Sequence, residues 1–214
     1  MNQITFGNLT AVQLRRPTQR ALAKLRTREK ILAAAKALFT ERGYEGATIR
    51  DIASGAGMST GAVFASFTDK SDLFAEIVRA EQEALYETLR DAAEGLTPKA
   101  AIIAMVDAAA ERHMADLALL QATMSALWSP GLGELLRRRV ALRSVPELIV
   151  RTLTAGMESG EIAVAADPAL IASMLRDSYV SVLSRAAQEG ATLDSVKRRV
   201  KEEVEIILAG ARKA

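Results

Sequence analysis

Residues 54–61 read Ser-Gly-Ala-Gly-Met-Ser-Thr-Gly, three glycines and three hydroxyl side chains in eight positions. A run of this kind either cradles phosphate or makes a tight turn. Its flanks decide between the two. A dinucleotide loop follows a buried strand and opens a long helix. Here the preceding residues are TIRDIA, in which Ile49, Ile52 and Ala53 are spaced as a helix stripe, and the helix after Gly61 is too short for a crossover. The nucleotide reading fails on context. Two short helices joined by a glycine turn and held against an earlier helix make a helix-turn-helix.

Working outward, each local signal agrees. Thr48 reads as the N-cap of the first short helix, with Asp51 at its third position. Ala53 is small where the two helices approach, and Gly57 supplies the positive φ of the turn. Met58 and Val63 point inward, and Ser59 caps the second short helix. Ser59, Thr60, Gly61 and Ala62 then lie at the exposed N-terminal end that enters a major groove in such a motif. Upstream, Ile31, Ala34, Ala35, Leu38 and Phe39 line a helix read from Thr27 and closed by Gly43. Downstream, Asp69 caps a long helix whose apolar side carries Leu73, Phe74, Ile77, Val78, Leu85 and Leu89, as far as about Ala93.

The remainder reads as helices with brief punctuation. Pro98 opens one that runs to about Met114, followed by a short one to about Leu127 and a loop, WSPGLG, at residues 128–133. Residues 134–159 read as helical, with Pro146 bending the helix or marking a join, and Gly160 ending it. Asp167-Pro168 starts a helix ended by Gly190, and Asp194 starts the last. The expected fold is all-α, with about nine helices: an N-terminal three-helix DNA-binding head on a larger helical body. Residues 1–23 lack helical periodicity and read as a mobile basic arm carrying Arg15, Arg16 and Arg20.

Composition narrows the function classes. Half of the residues are hydrophobic but only 4% are aromatic, which suits helix packed on helix. The chain has no cysteine, so thiol nucleophiles and thiolate metal sites are excluded, and His113 is its only histidine. No metal or cofactor is expected, and no enzyme activity. Charged residues such as Asp107, Glu111 and Arg112 interrupt every apolar run before it reaches membrane-span length. MNQITFGNLT at the start lacks the basic and apolar regions of a secretory signal, so the chain reads as cytoplasmic. Residues 1–70 hold eleven Lys/Arg against five Asp/Glu, a net +6 within a chain whose total is +2. A basic head on a mildly acidic body suits a polyanion partner.

The block REKILAAAKALFTERGYEGATIRDIASGAGMSTGAVFASFTDKSDLF, residues 28–74, resembles the TetR (tetracycline-repressor-like) family of bacterial transcriptional regulators. Gly43-Tyr44, Thr48, Asp51-Ile52-Ala53, Gly57, Gly61, Phe67, Lys70 and Leu73 stand where that family's pattern has them. The resemblance implies a DNA-binding set: Thr48 on a phosphate, Arg50 on a base or phosphate, Thr60, Gly61 and Ala62 facing bases beside Ser59, and Lys70 clamping a phosphate. The family commonly has Tyr and His where this chain has Phe64 and Ser66. Phe64 lacks the phenol hydroxyl and Ser66 offers a shorter donor, so Arg15 and Arg16 are expected to add phosphate or minor-groove affinity.

The same resemblance implies residues 24–70 as the DNA-binding domain and residues 71–214 as an effector-binding and dimerisation domain. It implies a homodimer through the last two long helices, binding a palindromic double-stranded operator as a repressor released by a small, largely apolar effector. Leu170, Met174, Ser178 and Ser181 share one face of the penultimate helix and Leu175, Tyr179 and Val182 another, so one face suits the core and one the partner. Met105, His113, Met124, Trp128, Met157, Met174 and Asp177 are the expected effector-lining residues, since methionines and a tryptophan make adaptable apolar walls. The alternatives are a DNA-binding regulator with no small effector, and an all-helical enzyme.

Overall fold

The computed structural model describes residues 18–129, 131–139, 145–162 and 166–210. Among them are ten helices and no strand: α1 Gln19–Gly46, α2 Ile49–Gly55, α3 Thr60–Phe64, α4 Lys70–Ala93, α5 Pro98–Ala115, α6 Leu117–Trp128, α7 Leu132–Arg139, α8 Val145–Glu158, α9 Pro168–Glu189 and α10 Leu193–Gly210.

Two boundaries differ from the sequence reading by more than a helical turn. Helix α1 begins at Gln19, where Thr18 accepts a hydrogen bond from the Ala21 N–H at 3.2 Å, well before Thr27. Arg20, Lys24, Leu25 and Arg26 are all exposed, so this extension buries no stripe and leaves no period to read. Arg15 and Arg16 lie outside the described residues. The second difference is in residues 134–159, where α7 ends at Arg139 and Val145 starts α8. Pro146 therefore occupies the first turn of a new helix, a position where its missing N–H costs nothing.

Two apolar cores share one helix. In the head core, Ile31, Ala35 and Phe39 of α1 meet Ile52, Ala53 and Val63 of the short helices and the first half of α4, from Leu73 to Val78. Phe39, Tyr44 and Phe74 form its aromatic centre, with the Phe39 and Phe74 rings edge to face at 5.0 Å. Leu119 and Ala126 of α6 and Leu136 of α7 complete that core from the body side. In the body core, Leu85 and Leu89 from the second half of α4 join α5, α8, α9 and α10. The apolar side of α4 thus serves the head core in its first half and the body core in its second.

Where α4 passes from one core to the other, four helices meet in an ionic knot. Lys36 of α1 donates to Glu81 of α4 at 2.7 Å and lies 3.6 Å from Asp116, the N-cap of α6. Arg112, near the end of α5, donates to the other Glu81 oxygen at 2.7 Å. Burial alone would raise the Glu81 carboxyl, but the hydrogen bonds and charges of Lys36 and Arg112 outweigh it and hold the group below its ordinary value.

The last two helices turn one side inward and leave another open. Leu175, Val182 and Leu183 of α9 and Val196, Val200 and Val204 of α10 are buried. Leu170 and Met174 of α9, at 54% and 48% exposed, and Ile206 of α10 face outward.

Candidate nucleic-acid interface

The turn between α2 and α3 closes as a Schellman motif. The Met58 N–H donates to the Ala53 carbonyl at 2.9 Å and the Gly57 N–H to the Ser54 carbonyl at 3.0 Å. Gly57 has φ 67, the left-handed conformation that glycine adopts without a side-chain penalty. Met58 packs against the head core, and Val63 is fully buried beneath α3. This anchors α3 by its inner side and presents the other.

Each end of the interface is capped by a residue that also faces solvent. Thr48 accepts from the Asp51 N–H at 3.2 Å and donates its hydroxyl to the Asp51 carboxylate at 2.7 Å. Arg42 lies 3.8 Å from that carboxylate and offsets its charge. Ser59 accepts from the Ala62 N–H at 3.2 Å, leaving its hydroxyl proton outward. Thr60 and Gly61 are exposed and Ala62 half-buried. Arg50 is exposed, and no carboxylate among the described residues pairs with it. Phe64 stands 56% exposed on the same short helix, an apolar ring with no packing reason to be there.

Two cations that flank this surface are engaged by the fold. Lys70 donates from Nζ to the Tyr44 carbonyl at 2.8 Å, with its ammonium 4.3 Å from the Tyr44 ring centre and 3.9 Å from Glu45. The fold thus anchors this cation through Tyr44 and Glu45. Arg28, which carried no role in the sequence reading, donates to the Ser66 carbonyl at 2.8 Å and stacks 4.0 Å above the Phe67 ring. It also reaches Glu76 at 3.5 Å. Arg28 therefore ties the C-terminal end of α3 to α1 and α4. Nothing local in the sequence marks it, because its partners lie far along the chain. Ser66 is half-buried and takes this bond through its backbone, so its hydroxyl stays available.

The expected effector residues do not converge. Met105 is fully buried in the body core, Met157 packs against that core, and Met124 is half-buried on α6. Trp128 is 88% exposed at the last residue of α6, Met174 lies on the open side of α9, and exposed Asp177 pairs with its neighbour Arg176 at 2.9 Å. These three stand on the surface of the described chain, apart from the buried Met105. His113 does face the body core, and its Nδ1 lies 2.7 Å from the Tyr179 hydroxyl, joining α5 to α9. Burial, helped by the charge of Arg112, pushes the His113 pKa down to about 4, and burial pushes the Tyr179 phenol up.

A cleft of about 180 Å³ lies elsewhere, between the end of α1 and α6, lined by Arg42, Gly43, Tyr44, Glu45, Ala122, Ser125, Ala126 and Ser129. None of the expected effector residues borders it. Among the described residues no group of three or more His, Cys, Asp or Glu side chains is placed to hold a metal ion, and no helix is long and apolar enough to cross a membrane.

Known proteins share both the head and the whole architecture. The sequence profile of bacterial regulatory proteins, tetR family, matches residues 31–77. The HTH-type transcriptional repressor AcnR of Corynebacterium efficiens is 40% identical over 65 residues, which span 30% of this chain and only 35% of that relative. The HTH-type transcriptional repressor KstR2 of Mycobacterium tuberculosis is 30% identical over 161 residues, 72% of this chain and 79% of the relative. Among solved structures, SmeT, the repressor of the multidrug efflux pump SmeDEF in Stenotrophomonas maltophilia, is 28% identical with a TM-score of 0.69, covering 87% of this chain and 90% of that one. SmeT has also been solved in complex with triclosan.

Proposed function

The chain belongs to the TetR family of bacterial regulatory proteins, and on that footing we propose that it is a cytoplasmic, homodimeric transcriptional repressor released from its operator by a small, largely apolar effector. Residues 24–70 are the reading head in this account, and residues 71–214 hold the effector and the dimer contact. The observation that carries the reading is the outer side of the turn and α3. Exposed Thr48, Ser59, Thr60 and Gly61 stand beside an Arg50 with no carboxylate partner among the described residues, on a head whose inner side is fully packed.

The chemistry is that of groove recognition. Hydroxyls and N–H groups at helix starts hold phosphate, so Ser59 and, once its hydroxyl turns from Asp51, Thr48 fix the register. Thr60, Gly61 and Ala62 bring the α3 backbone near base edges, and Arg50 supplies the charged donor. Phe64 offers an apolar ring to a thymine methyl or a sugar. Lys70 steadies Tyr44 and adds field strength at its free donors. The open apolar side of α9 and α10, around Leu170, Met174 and Ile206, supports a dimer through these helices. A two-fold dimer sets two α3 helices in successive major grooves, about 34–36 Å apart or wider.

Release requires an effector that binds one head arrangement better than the other. SmeT supports the choice of chemical class, since triclosan is a small apolar phenol. His113 and Tyr179 supply the polar contact in an otherwise apolar body core, where a ligand hydroxyl would find a partner. The test is selection of duplexes from a random pool by the full chain, followed by affinity measurements on wild type and Arg50→Ala, with and without triclosan as a first probe. The reading expects an enriched palindrome, weaker binding by Arg50→Ala and steep loss of affinity with salt. Equal affinity of both proteins for every duplex would overturn it.

A further inference from the structure

The head and the body touch through two kinds of contact. The apolar kind, where Leu119 and Ala126 of α6 meet the head core, is non-directional and tolerates sliding. The other kind is ionic and directional: the Arg28–Glu76 pair near the start of α4 and, where α4 passes from one core to the other, the knot of Lys36, Glu81, Arg112 and Asp116. Glu81 stands on α4 between Val78, the last buried α4 residue of the head core, and Leu85, the first of the body core. Its two oxygens are each taken at 2.7 Å, one by the head through Lys36 and one by the body through Arg112. Asp116 holds the first turn of α6 by accepting from the Leu119 N–H at 3.2 Å while its other oxygen faces Lys36.

Half-exposed ion pairs of this sort add little to stability one at a time. A carboxylate bridging two cations from different domains instead fixes an angle, because moving the head on the body breaks a bond on one side of it. We propose that the knot sets the angle between the head and the body, and that Glu81 and Lys36 are positioning residues that fix the half-site spacing the dimer accepts. The inference rests on the DNA-binding dimer of the preceding section. In such a dimer the body sets the two-fold axis, so any tilt of the head on the body changes the separation of the two α3 helices. A one-base-pair change in half-site spacing also rotates the second groove around the duplex, so a rigid head tolerates it poorly.

The test uses the full-length chain throughout. The half-site enriched by wild type is placed in duplexes of every spacing, and affinity is measured against spacing for wild type, Glu81→Gln and Lys36→Met. Lys36→Met removes both of the knot's bonds to the head yet leaves the Glu81–Arg112 pair whole, so Glu81 keeps a cation partner. Lys197→Gln, which breaks the Lys197–Glu111 pair inside the body, is the control for losing an ion pair. Melting temperature and dimer mass are recorded for each protein. Wild type and Lys197→Gln are expected to favour one spacing by about tenfold over its neighbours, and both knot variants to reduce that ratio to about threefold or less. A folded, dimeric Lys36→Met that keeps the tenfold preference overturns the inference. A wild-type chain that enriches no symmetric duplex overturns instead the DNA-binding reading beneath it.

Discussion

Lys70, in the first turn of α4, donates to the Tyr44 carbonyl at 2.8 Å while its ammonium lies 4.3 Å from the centre of the Tyr44 ring. Arg50, on α2, is exposed with no such anchor. The two cations should therefore separate in mutagenesis. Lys70→Ala is expected to lower unfolding free energy by about 1–2 kcal/mol, from the lost hydrogen bond and cation–π contact, and to weaken operator binding as well. Arg50→Ala is expected to leave stability within about 0.5 kcal/mol of wild type and to reduce operator affinity alone. Urea denaturation paired with fluorescence anisotropy on the same samples checks both.

Phe64 exposes an aromatic ring without a polar atom on the side of α3 that faces outward. Phe64→Tyr adds one hydroxyl within reach of a backbone phosphate and removes no packing. Operator affinity should rise about fivefold, the equivalent of one net hydrogen bond, with the melting temperature unchanged. An anisotropy titration that shows equal affinity for both proteins would place the ring away from the DNA.

His113 supplies a pH signature of the body core. Its pKa is held at about 4 against an ordinary 6.5, chiefly by burial. Between those values the unfolded chain binds a proton that the folded chain refuses, so stability falls as pH drops from 6.5 toward 4 and levels off below it. The loss amounts to about 3 kcal/mol when complete. His113→Gln keeps a side-chain partner for Tyr179 and removes the proton site. Its stability should be flatter across that window, while the carboxylates common to both proteins cancel in the difference. Parallel pH profiles for the two proteins would show that His113 is not the source.

Met174 and Leu170 are the apolar residues left open on α9. Met174→Glu places a charge on the proposed partner contact without touching the body core. Sedimentation should show a monomer with the helical content of wild type, and operator affinity should fall because one head alone holds a single half-site. A dimer of unchanged mass would move the subunit contact elsewhere.

The head was legible because its signals are local. Thr48, Ser59 and Asp69 each cap a helix within three residues of their own position, and Gly57 makes the turn expected of it. The start of α1 was not legible, since its exposed first turns bury nothing and so carry no period. The exposure of Trp128 and Met174 was not legible either, because composition says what a side chain prefers, while helix packing decides where it goes. The knot escaped for a related reason. Lys36, Glu81, Arg112 and Asp116 are joined only by the way α1, α4, α5 and α6 pack, and no spacing in the sequence announces it.

The central claim is that the outer side of α2 and α3 reads DNA as one half of a two-fold pair. Duplex selection from a random pool by the wild-type chain, with the affinity of the enriched sequence followed against salt, tests it most directly. The account predicts a palindrome whose half-sites lie about one helical turn apart or wider, bound with an affinity that falls steeply and linearly on a log–log plot as salt rises. Enrichment of no symmetric sequence, with binding that is weak at all salt concentrations, would contradict it.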